Sequence, residues 1–352
     1  MSEAEQPPVL VERRGAAGVL SLNRPRALHA LNPEMIALMA RALLEWRDDP
    51  LVSVVIIDHA EGRGFCAGGD VTAARRSALE EGGAGARRFF FDEYRLNHLL
   101  YTYPKPVVSF MDGVTMGGGV GISQPARYRV ATTNTMFAMP EAAIGLFPDV
   151  GGGWYLSRLS GRLGPYLALT GARMNGADCL WAGLATHHLP VAALAQAKAR
   201  LIDGEAPGRV LGAFADQPEE APITGQLIPI LRHFAKPTLE AILASLAEDD
   251  SDWAAKTLAT LSARCPLTCK VALRQMAQAL RLETFAANMA MEYRLAARMV
   301  MLPDFAEGVR AVLIDKDNAP VWNPATPQGV SDAMIDAIFA PLPADEEWSP
   351  YE

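Results

Sequence analysis

Residues 106–123, PVVSFMDGVTMGGGVGIS, join an apolar stretch to a turn that contains three consecutive glycines. The same order occurs earlier in the chain, where VSVVIID (52–58) is followed by GRGFCAGGD (62–70). Neither apolar stretch alternates regularly with polar residues, which is typical of a strand covered on both faces in a mostly parallel sheet. Strand, glycine turn and helix follow one another in α/β proteins, so these stretches predict an α/β fold.

The periodicity of the flanking sequence completes this prediction. Asn32 and Pro33 have the residue types of a helix cap and a first helical position. The other elements expected are two short strands within 8–23, helices within 31–50 and 87–101, and short strands within 127–133 and 135–139.

Alanine, leucine and charged residues recur at helical spacing after about residue 190. We therefore predict an α/β core with the functional site over residues 1–195 and a helical region over residues 196–352 that covers it. The last residues, PLPADEEWSPYE (341–352), are expected to form a surface tail.

The net charge and the polarity of the chain limit the classes of partner. The 352 residues carry a formal net charge of −8, which argues against broad nucleic-acid binding because phosphate neutralisation needs a basic face. No apolar stretch reaches the roughly 18 residues of a membrane span, so no membrane partner is expected. The acidic opening MSEAEQPPVLVERRG (1–15) has no apolar signal core and carries acids that transit peptides avoid, which predicts a cytoplasmic protein.

The cysteines predict neither disulfides nor a metal site. Four of them, Cys66, Cys179, Cys265 and Cys269, are too few for a disulfide framework in a chain of this length. Cys265 and Cys269 lack a histidine or second cysteine pair nearby in sequence to complete a zinc site. Cys66 lies inside a glycine turn, and we expect a small buried packing residue because no histidine is placed to activate its thiol.

The two glycine turns, here the first glycine turn (62–70) and the second glycine turn (112–123), could bind one ligand atom together. If they lie side by side, one backbone N–H from each could point at a single oxygen and form an oxyanion hole. Glycines in an isolated turn more often only permit a tight bend or close packing. A dinucleotide loop is disfavoured, because GGGVGIS does not match G-x-G-x-x-G. Asp70 and Asp112, which border the turns, are expected to bind loop backbone through their side chains.

A third stretch, FAMPEAAIGLFPDVGGG (137–153), carries only two charges, Glu141 and Asp149, among apolar residues. Burial of an ionised carboxylate is costly or raises its pKa, so two such groups close together indicate a use for them. The alternative is that both are solvated at the ends of loops.

Several long blocks, in the same order, resemble the crotonase (enoyl-CoA hydratase/isomerase) superfamily. The superfamily blocks are LNRPRALHALN (22–32), the two glycine turns and FAMPEAAIGLFPDVGGGWYLSRL (137–159). YPKPVVSFMDGVTMGGGVGIS (103–123) and MEYRLAARMVMLPDFAEGVRAVLIDKDNAPVW (291–322) are similar to the 3-hydroxyisobutyryl-CoA hydrolase branch. Together the similarity extends from about residue 10 to about residue 325.

The resemblance implies a spiral of ββα units with a mainly α-helical C-terminal region. It also implies that the backbone N–H groups of Gly69 and Gly118 hold the thioester oxygen of an acyl-CoA, with Glu141 and Asp149 as catalytic side chains. No cofactor or metal beyond the CoA of the substrate is implied. The remaining substrate or CoA contacts that it implies are Arg24, Arg26, Leu28, Gly68, Gly117 and Gly121. Arg24 and Arg26 would meet the CoA phosphates, although both could also be ordinary surface arginines.

Two departures from the superfamily pattern bear on the reaction. Hydratases have a second glutamate at the position of Gly121, and water addition to an alkene needs an acid and a base, so its absence disfavours a hydratase. Asp149 stands where many hydratases have glycine, which fits hydrolysis. His29 replaces the more usual asparagine and puts in doubt only details of the loop on the CoA side.

The resemblance therefore predicts hydrolysis of a short-chain 3-hydroxyacyl-CoA, above all 3-hydroxyisobutyryl-CoA, a reaction of valine catabolism. A hydratase or isomerase of the same fold and a non-catalytic acyl-CoA-binding protein are the alternatives. Glu141 could be the nucleophile or the base that activates water. Glu292, Tyr293 and Arg294 could serve helix packing or a pocket lid, and a homo-oligomer is possible.

Overall fold

The structure is a computed structural model and describes residues 7–218 and 220–351. The start of the acidic opening, residues 1–6, and the last residue of the expected surface tail lie outside the described residues. Two compact units are present: the first unit comprises Met1–Gly69, Arg95–Phe137 and Met174–Pro222, and the second unit comprises Asp70–Tyr94, Ala138–Arg173 and Ile223–Glu352. Each unit comprises three separate stretches of the chain. The division into two domains at residue 195 remains a prediction.

The described strands are, in chain order, β1 (Val9–Arg14), β2 (Ala17–Leu22), β3 (Val54–His59), β4 (Gly64–Cys66), β5 (Val107–Met111), β6 (Val114–Met116), β7 (Tyr128–Ala131), β8 (Met136–Ala138), β9 (Met174–Asn175) and β10 (His187–His188). One sheet has the order β1-β2-β3-β5-β7-β10, and a second has the order β4-β6-β8-β9. In the first sheet only β1 and β2 pair antiparallel, so the predicted mostly parallel sheet is confirmed.

The described α-helices are α1 (Pro33–Arg47), α2 (Val71–Glu80), α3 (Ala84–Tyr101), α4 (Gly118–Ser123), α5 (Gly152–Ser157), α6 (Leu163–Thr170), α7 (Gly176–Trp181), α8 (Leu194–Ile202), α9 (Pro207–Phe214), α10 (Leu227–Phe234), α11 (Leu239–Ala247), α12 (Asp252–Ser262), α13 (Pro266–Ala279), α14 (Phe285–Met299), α15 (Pro303–Val309) and α16 (Asp332–Phe339). The predicted cap of α1 is confirmed, because the side chain of Asn32 accepts the N–H of Met35 and Pro33 occupies the first turn. None of these helices is long and apolar enough to cross a membrane.

The core of the first unit explains why its strands lack polar alternation. Val54 and Ile56 of β3 and Val108 and Phe110 of β5 pack in one cluster with apolar residues of α8 and α9. The intervening residues of these strands, such as Val55, are buried as well. Both faces of the sheet are therefore covered, and each strand is apolar on both sides.

The second unit is mainly helical and contains Glu141 in a short 3-10 helix, Glu141–Ala143. Helix α13 packs against α5 and α6, and α14 also contacts α5. The C-terminal helices α13 and α14 therefore contact α5, which begins shortly after Asp149 in the sequence.

The described part of the expected surface tail, 341–351, lies mostly at the surface, with Trp348 as its one buried residue, but it is attached to the helices. The indole of Trp348 is buried, and its N–H donates to the carbonyl oxygen of Phe91 at 3.1 Å. The guanidinium Nε of Arg294 donates to both carboxylate oxygens of Glu347, at 2.8 and 2.9 Å. Proline and acidic residues gave this segment the composition of a tail, while one tryptophan and one ion pair attach it to the helices.

The four cysteines are all buried and form no disulfide. Burial raises the pKa of the Cys269 thiol, which disfavours a reactive thiolate there. Within residues 7–218 and 220–351, no three histidine, cysteine, aspartate or glutamate side chains are grouped as a metal ion would require.

Candidate active site

The two glycine turns of the first unit lie side by side. A β-carbon placed on Gly68, which has a φ of +126°, would lie 3.6 Å from the carbonyl oxygen of Met116 and 3.8 Å from the backbone nitrogen of Gly118. Strands β4 and β6, which lead into the two turns, pair in parallel. The juxtaposition on which the oxyanion-hole hypothesis depends is therefore present.

Close packing explains part of the glycine content. A β-carbon on Gly119 would lie 2.3 Å from the carbonyl oxygen of Cys66, closer than any side chain tolerates. Gly117 adopts a φ of +47° immediately before α4 begins at Gly118. The packing interpretation and the binding interpretation of these glycines are thus compatible.

The backbone N–H groups of Gly69 and Gly118 have no acceptor among the described residues. Gly118 is buried, and buried N–H groups in proteins are nearly always paired with protein, water or ligand. Both groups are available to a ligand oxygen, and their joint use as an oxyanion hole remains a prediction.

The loop predicted to bind CoA is held by a histidine. Leu28 and His29 both have positive φ values, of 46° and 57°, which are strained for residues with side chains. The buried His29 ring accepts the backbone N–H of Arg24 at Nδ1 (2.9 Å) and donates from Nε2 to the carbonyl oxygen of Glu61 (2.8 Å). Burial lowers the pKa of His29, so the neutral form fits these two bonds.

The predicted CoA-contacting residues have different surroundings. Arg24 donates to the carbonyl oxygen of Ala30 at 2.5 Å, whereas the side chain of Arg26 is exposed. Gly121 is buried inside α4. The alternative of an ordinary surface arginine therefore stays open for Arg26.

Glu141 and Asp149 of the second unit are buried, each 5% exposed, so they are not solvated at loop ends. One carboxylate oxygen of Glu141, Oε2, has no hydrogen-bond partner among the described residues. Burial, and then the charge of Asp149, hold the pKa of Glu141 well above its ordinary value.

Asp149 is bound by a residue that the sequence analysis did not identify. The hydroxyl of Tyr94 on α3 donates to Oδ2 of Asp149 at 2.8 Å, and both groups are buried. Burial raises the pKa of Asp149 to about 7, although the hydrogen bond from Tyr94 acts to lower it. Asp149 can therefore change protonation state near neutral pH.

Glu93, next to Tyr94 on α3, was missed as well. It is buried, and its Oε1 has no partner among the described residues. Burial and the charge of Asp149 raise the pKa of Glu93 well above its usual range. The only signal in the sequence was a pair of acidic residues, Asp92 and Glu93, between the phenylalanines and the tyrosine of FFFDEY (89–94), a pattern that ordinary amphipathic helices share.

Glu292 and Tyr293, whose roles the sequence did not decide, lie in different surroundings. Glu292 is fully buried and accepts the backbone N–H groups of Gly151 (2.7 Å) and Gly153 (3.0 Å), directly after Asp149. Tyr293 packs edge-on against Phe91 at a ring-centroid distance of 5.3 Å. Glu292 thus belongs to the surroundings of the site and Tyr293 to the helix packing.

The carboxyls of the second unit can serve acid–base chemistry. Ionisation of Asp149 opposes ionisation of Glu141, because both are buried and carry the same charge. Once Asp149 ionises near pH 7, its charge therefore helps Glu141 to keep its proton. One carboxyl is then a proton donor and the other a proton acceptor.

Comparison with known proteins agrees with this chemistry. Residues 17–339 match the family model "Enoyl-CoA hydratase/isomerase". A 3-hydroxyisobutyryl-CoA hydrolase, mitochondrial, from Xenopus tropicalis is 43% identical over 95% of this chain and 89% of its own length. The relative of the same name from Danio rerio is 42% identical over 97% of this chain and 92% of its own length.

A solved structure has the same fold throughout but carries a different name. The crystal structure of a carnitinyl-CoA dehydratase from Mycobacterium thermoresistibile superposes with a TM-score of 0.93 at 40% identity, over 98% of this chain and 99% of the other. The fold prediction is therefore confirmed, including the helical C-terminal region.

The predicted cytoplasmic location is contradicted by these comparisons. The relatives from Xenopus tropicalis and Danio rerio are named as mitochondrial, which points to the mitochondrion instead. The prediction depended on acidic residues near the start of the sequence, and the lack of a targeting pattern there is not evidence of a compartment.

Proposed function

Because this chain belongs to the enoyl-CoA hydratase/isomerase family, and within it to the 3-hydroxyisobutyryl-CoA hydrolase branch, we propose that it hydrolyses the thioester of 3-hydroxyisobutyryl-CoA. The products are the free hydroxy acid and CoA. The observation in the site that carries this proposal is Asp149, a buried carboxyl whose pKa is raised to about 7 and which Tyr94 holds by a 2.8 Å hydrogen bond.

In the proposed mechanism, the backbone N–H groups of Gly69 and Gly118 hold the thioester carbonyl oxygen. Charge develops on this oxygen when the carbonyl carbon is attacked, and each well-placed donor stabilises that charge by roughly 3–4 kcal/mol. The support is that both N–H groups lack an acceptor among the described residues, and that the two glycine turns adjoin.

Glu141 and Asp149 supply the proton transfers. Attack on the carbonyl carbon gives a tetrahedral intermediate whose collapse breaks the C–S bond, and the departing CoA thiolate takes up a proton. Burial favours the protonated form of Glu141 in the free protein, so Glu141 first passes its proton to Asp149. Ionised Glu141 then either takes a proton from the attacking water or attacks the carbon itself, and Asp149 protonates the sulfur. In the second route, water hydrolyses the acyl anhydride that forms and restores Glu141.

The specific rival is water addition or removal, as the name of the dehydratase structure suggests for that protein. Gly121 is the feature against it here, since this position carries no carboxyl and the second acid–base group of a hydratase is missing. A silent acyl-CoA-binding protein is disfavoured by the buried carboxyls Glu93, Glu141, Asp149 and Glu292, which would destabilise the fold without a use.

To test this function, the protein is assayed with a small panel of CoA esters: 3-hydroxyisobutyryl-CoA, other short 3-hydroxyacyl-CoA esters and the matching enoyl-CoA esters. Thiol release, detected with a chromogenic disulfide, reports hydrolysis, and loss of the enoyl absorbance without thiol reports hydration. We expect thiol release to be fastest with 3-hydroxyisobutyryl-CoA.

The site assignment is tested with Glu141→Gln and Asp149→Asn, each of which preserves side-chain size. Glu45→Gln, at an exposed position of α1, is the matched control for loss of a carboxylate. Both site variants should lose at least about 100-fold in turnover, whereas the control should keep wild-type activity. Near-full turnover in both site variants would contradict this mechanism.

We further propose that the reaction needs no cofactor beyond the CoA of the substrate, and that the chain forms a homo-oligomer. Turnover after exhaustive treatment with a metal chelator tests the first proposal. Sedimentation velocity at several protein concentrations tests the second, and a single monomeric species at all of them would contradict it.

A further inference from the structure

The turn that carries Asp149 is strained. Val150 has a φ of +51° and Gly151 a φ of +90°. Positive φ is rare for a β-branched residue and costs free energy, so the surrounding structure must hold it in place. What holds this turn therefore also fixes the side chain of Asp149.

Glu292 on α14 makes hydrogen bonds that can hold this strained turn in place. Its Oε2 accepts the N–H of Gly151 at 2.7 Å and its Oε1 accepts the N–H of Gly153 at 3.0 Å. Gln275 on α13 donates from Nε2 to Oε1 of Glu292 at 2.9 Å and to the carbonyl oxygen of Pro148 at 2.7 Å. The backbone is thus tied on both sides of Asp149, at Pro148 and at Gly151.

The hydrogen bonds to Glu292 favour its ionised form. Asn288 donates a fourth hydrogen bond, from Nδ2 to Oε1 at 2.9 Å, so four N–H groups face this carboxyl. An ionised carboxylate accepts all four, whereas a protonated carboxyl would direct an O–H at donors. The fit is close at Gly153, where a β-carbon would lie 3.0 Å from Oε1 of Glu292.

We propose that Glu292 is a positioning residue for the reaction: its carboxyl group holds the strained turn after Asp149 and thereby fixes the side chain of Asp149. This inference rests on the proposed hydrolase function. Glu292 makes no contact with substrate in this role and acts through Asp149.

The groups that face Asp149 are Tyr94 and Glu93 on α3, Glu141 in the 3-10 helix and Glu292 on α14. Burial outweighs the hydrogen bonds to Glu292 and raises its pKa to about 8, and the charge of Asp149 acts in the same direction. Asp149 therefore loses its proton before Glu292 does, and the effect of Glu292 on Asp149 comes from its hold on the turn.

The test compares Glu292→Gln and Glu292→Asp with the wild type. The control is Asp304→Asn, which changes another buried carboxyl of the second unit, one that accepts the N–H of Asn323 at 2.8 Å and touches none of the groups that face Asp149. Each variant is assayed for kcat, KM and the melting temperature.

Glu292→Gln should lower kcat by about 10- to 100-fold with KM within about threefold of the wild type, because displacement of a catalytic group affects the chemical step. Glu292→Asp keeps a carboxyl group but is too short to reach both N–H groups, so kcat should fall in this variant as well. Asp304→Asn should lower the melting temperature without a change in kcat.

A purely structural role would lower the melting temperature of Glu292→Gln and leave kcat like that of Asp304→Asn, and this result would overturn the inference. If Glu292→Gln fails to fold by circular dichroism, wild-type kcat in Glu292→Asp overturns it equally. If the wild type releases no thiol from any ester, the proposed function fails instead. The positioning role is then judged without turnover, from the carboxyl-carbon NMR signal of Asp149 in the wild type and in Glu292→Asp: it is overturned if Glu292→Asp leaves the chemical shift and the linewidth of Asp149 unchanged.

Discussion

Substitution of Asp149 by asparagine should stabilise the protein, and more so as the pH rises. Burial raises the pKa of Asp149 from its ordinary value of 3.8 to about 7. The unfolded chain therefore ionises this group at a lower pH than the folded chain does. The contribution of Asp149 to stability is complete below about pH 4 and is lost as the pH rises through about 7.

The size of this loss follows from the pKa shift. A difference of one pKa unit corresponds to about 1.4 kcal/mol, and Asp149 is buried, so solvent screening does not reduce it. The shift of about three units thus amounts to about 4 kcal/mol when fully developed. Between about pH 5 and about pH 8 the loss is roughly 2–3 kcal/mol, since part of it has already occurred at the lower pH.

The assay is urea unfolding of the wild type, Asp149→Asn and the exposed control Glu45→Gln at these two pH values. The free energy of unfolding of Asp149→Asn relative to the wild type should be roughly 2–3 kcal/mol higher at the higher pH. Effects that do not depend on pH, such as a changed hydrogen bond with Tyr94, cancel in this comparison. Glu93 and Glu141 also feel the charge of Asp149, so their response adds in the same direction. An equal difference at both pH values would refute the reasoning.

Three further predictions concern single contacts. Tyr94→Phe removes a hydrogen bond to ionised Asp149 worth about 1.5–3 kcal/mol, so the pH profile of kcat/KM should move up by about 1–2 units; an unmoved profile would contradict the role of Tyr94. Gly119→Ala places a β-carbon against the carbonyl oxygen of Cys66, so it should lower the free energy of unfolding by about 1–3 kcal/mol and reduce turnover. Wild-type values of both quantities would contradict this expectation. Asn32→Ala removes the cap of α1 and should cost about 1 kcal/mol in urea unfolding while leaving turnover unchanged; a large loss of turnover would show that this cap affects the site.

The elements that depend on local sequence were predicted well. The cap at Asn32 and the strands around Val54 and Val107 follow from residue types and spacing within a few positions. The glycine turns were also recognisable, and the close approach of Gly119 to Cys66 is the physical reason that a larger residue is not present there. In each case the determining interaction lies near in sequence or is a steric demand that only glycine meets.

The partners of Asp149 and of the turn after it were not predictable in this way. Tyr94 is separated from Asp149 by 55 positions and Glu292 from Gly151 by 141. Nothing local distinguishes a tyrosine or glutamate that reaches such a partner from one that lies on an ordinary helix face. Trp348 is a similar case, since its hydrogen bond to Phe91 spans 257 positions.

Burial and hydrogen-bond donors together order the ionisation of the carboxyls around Asp149. Asp149 accepts the hydroxyl of Tyr94, and its pKa is raised to about 7. Glu292 accepts four N–H groups, yet burial raises its pKa to about 8. Glu141 and Glu93 each have an oxygen without a partner among the described residues, and burial raises the pKa of both well above the usual range. Hydrolysis needs one ionised and one protonated member of the pair Asp149 and Glu141, so kcat/KM should rise as the pH passes through about 7 and fall at higher pH, once both are ionised.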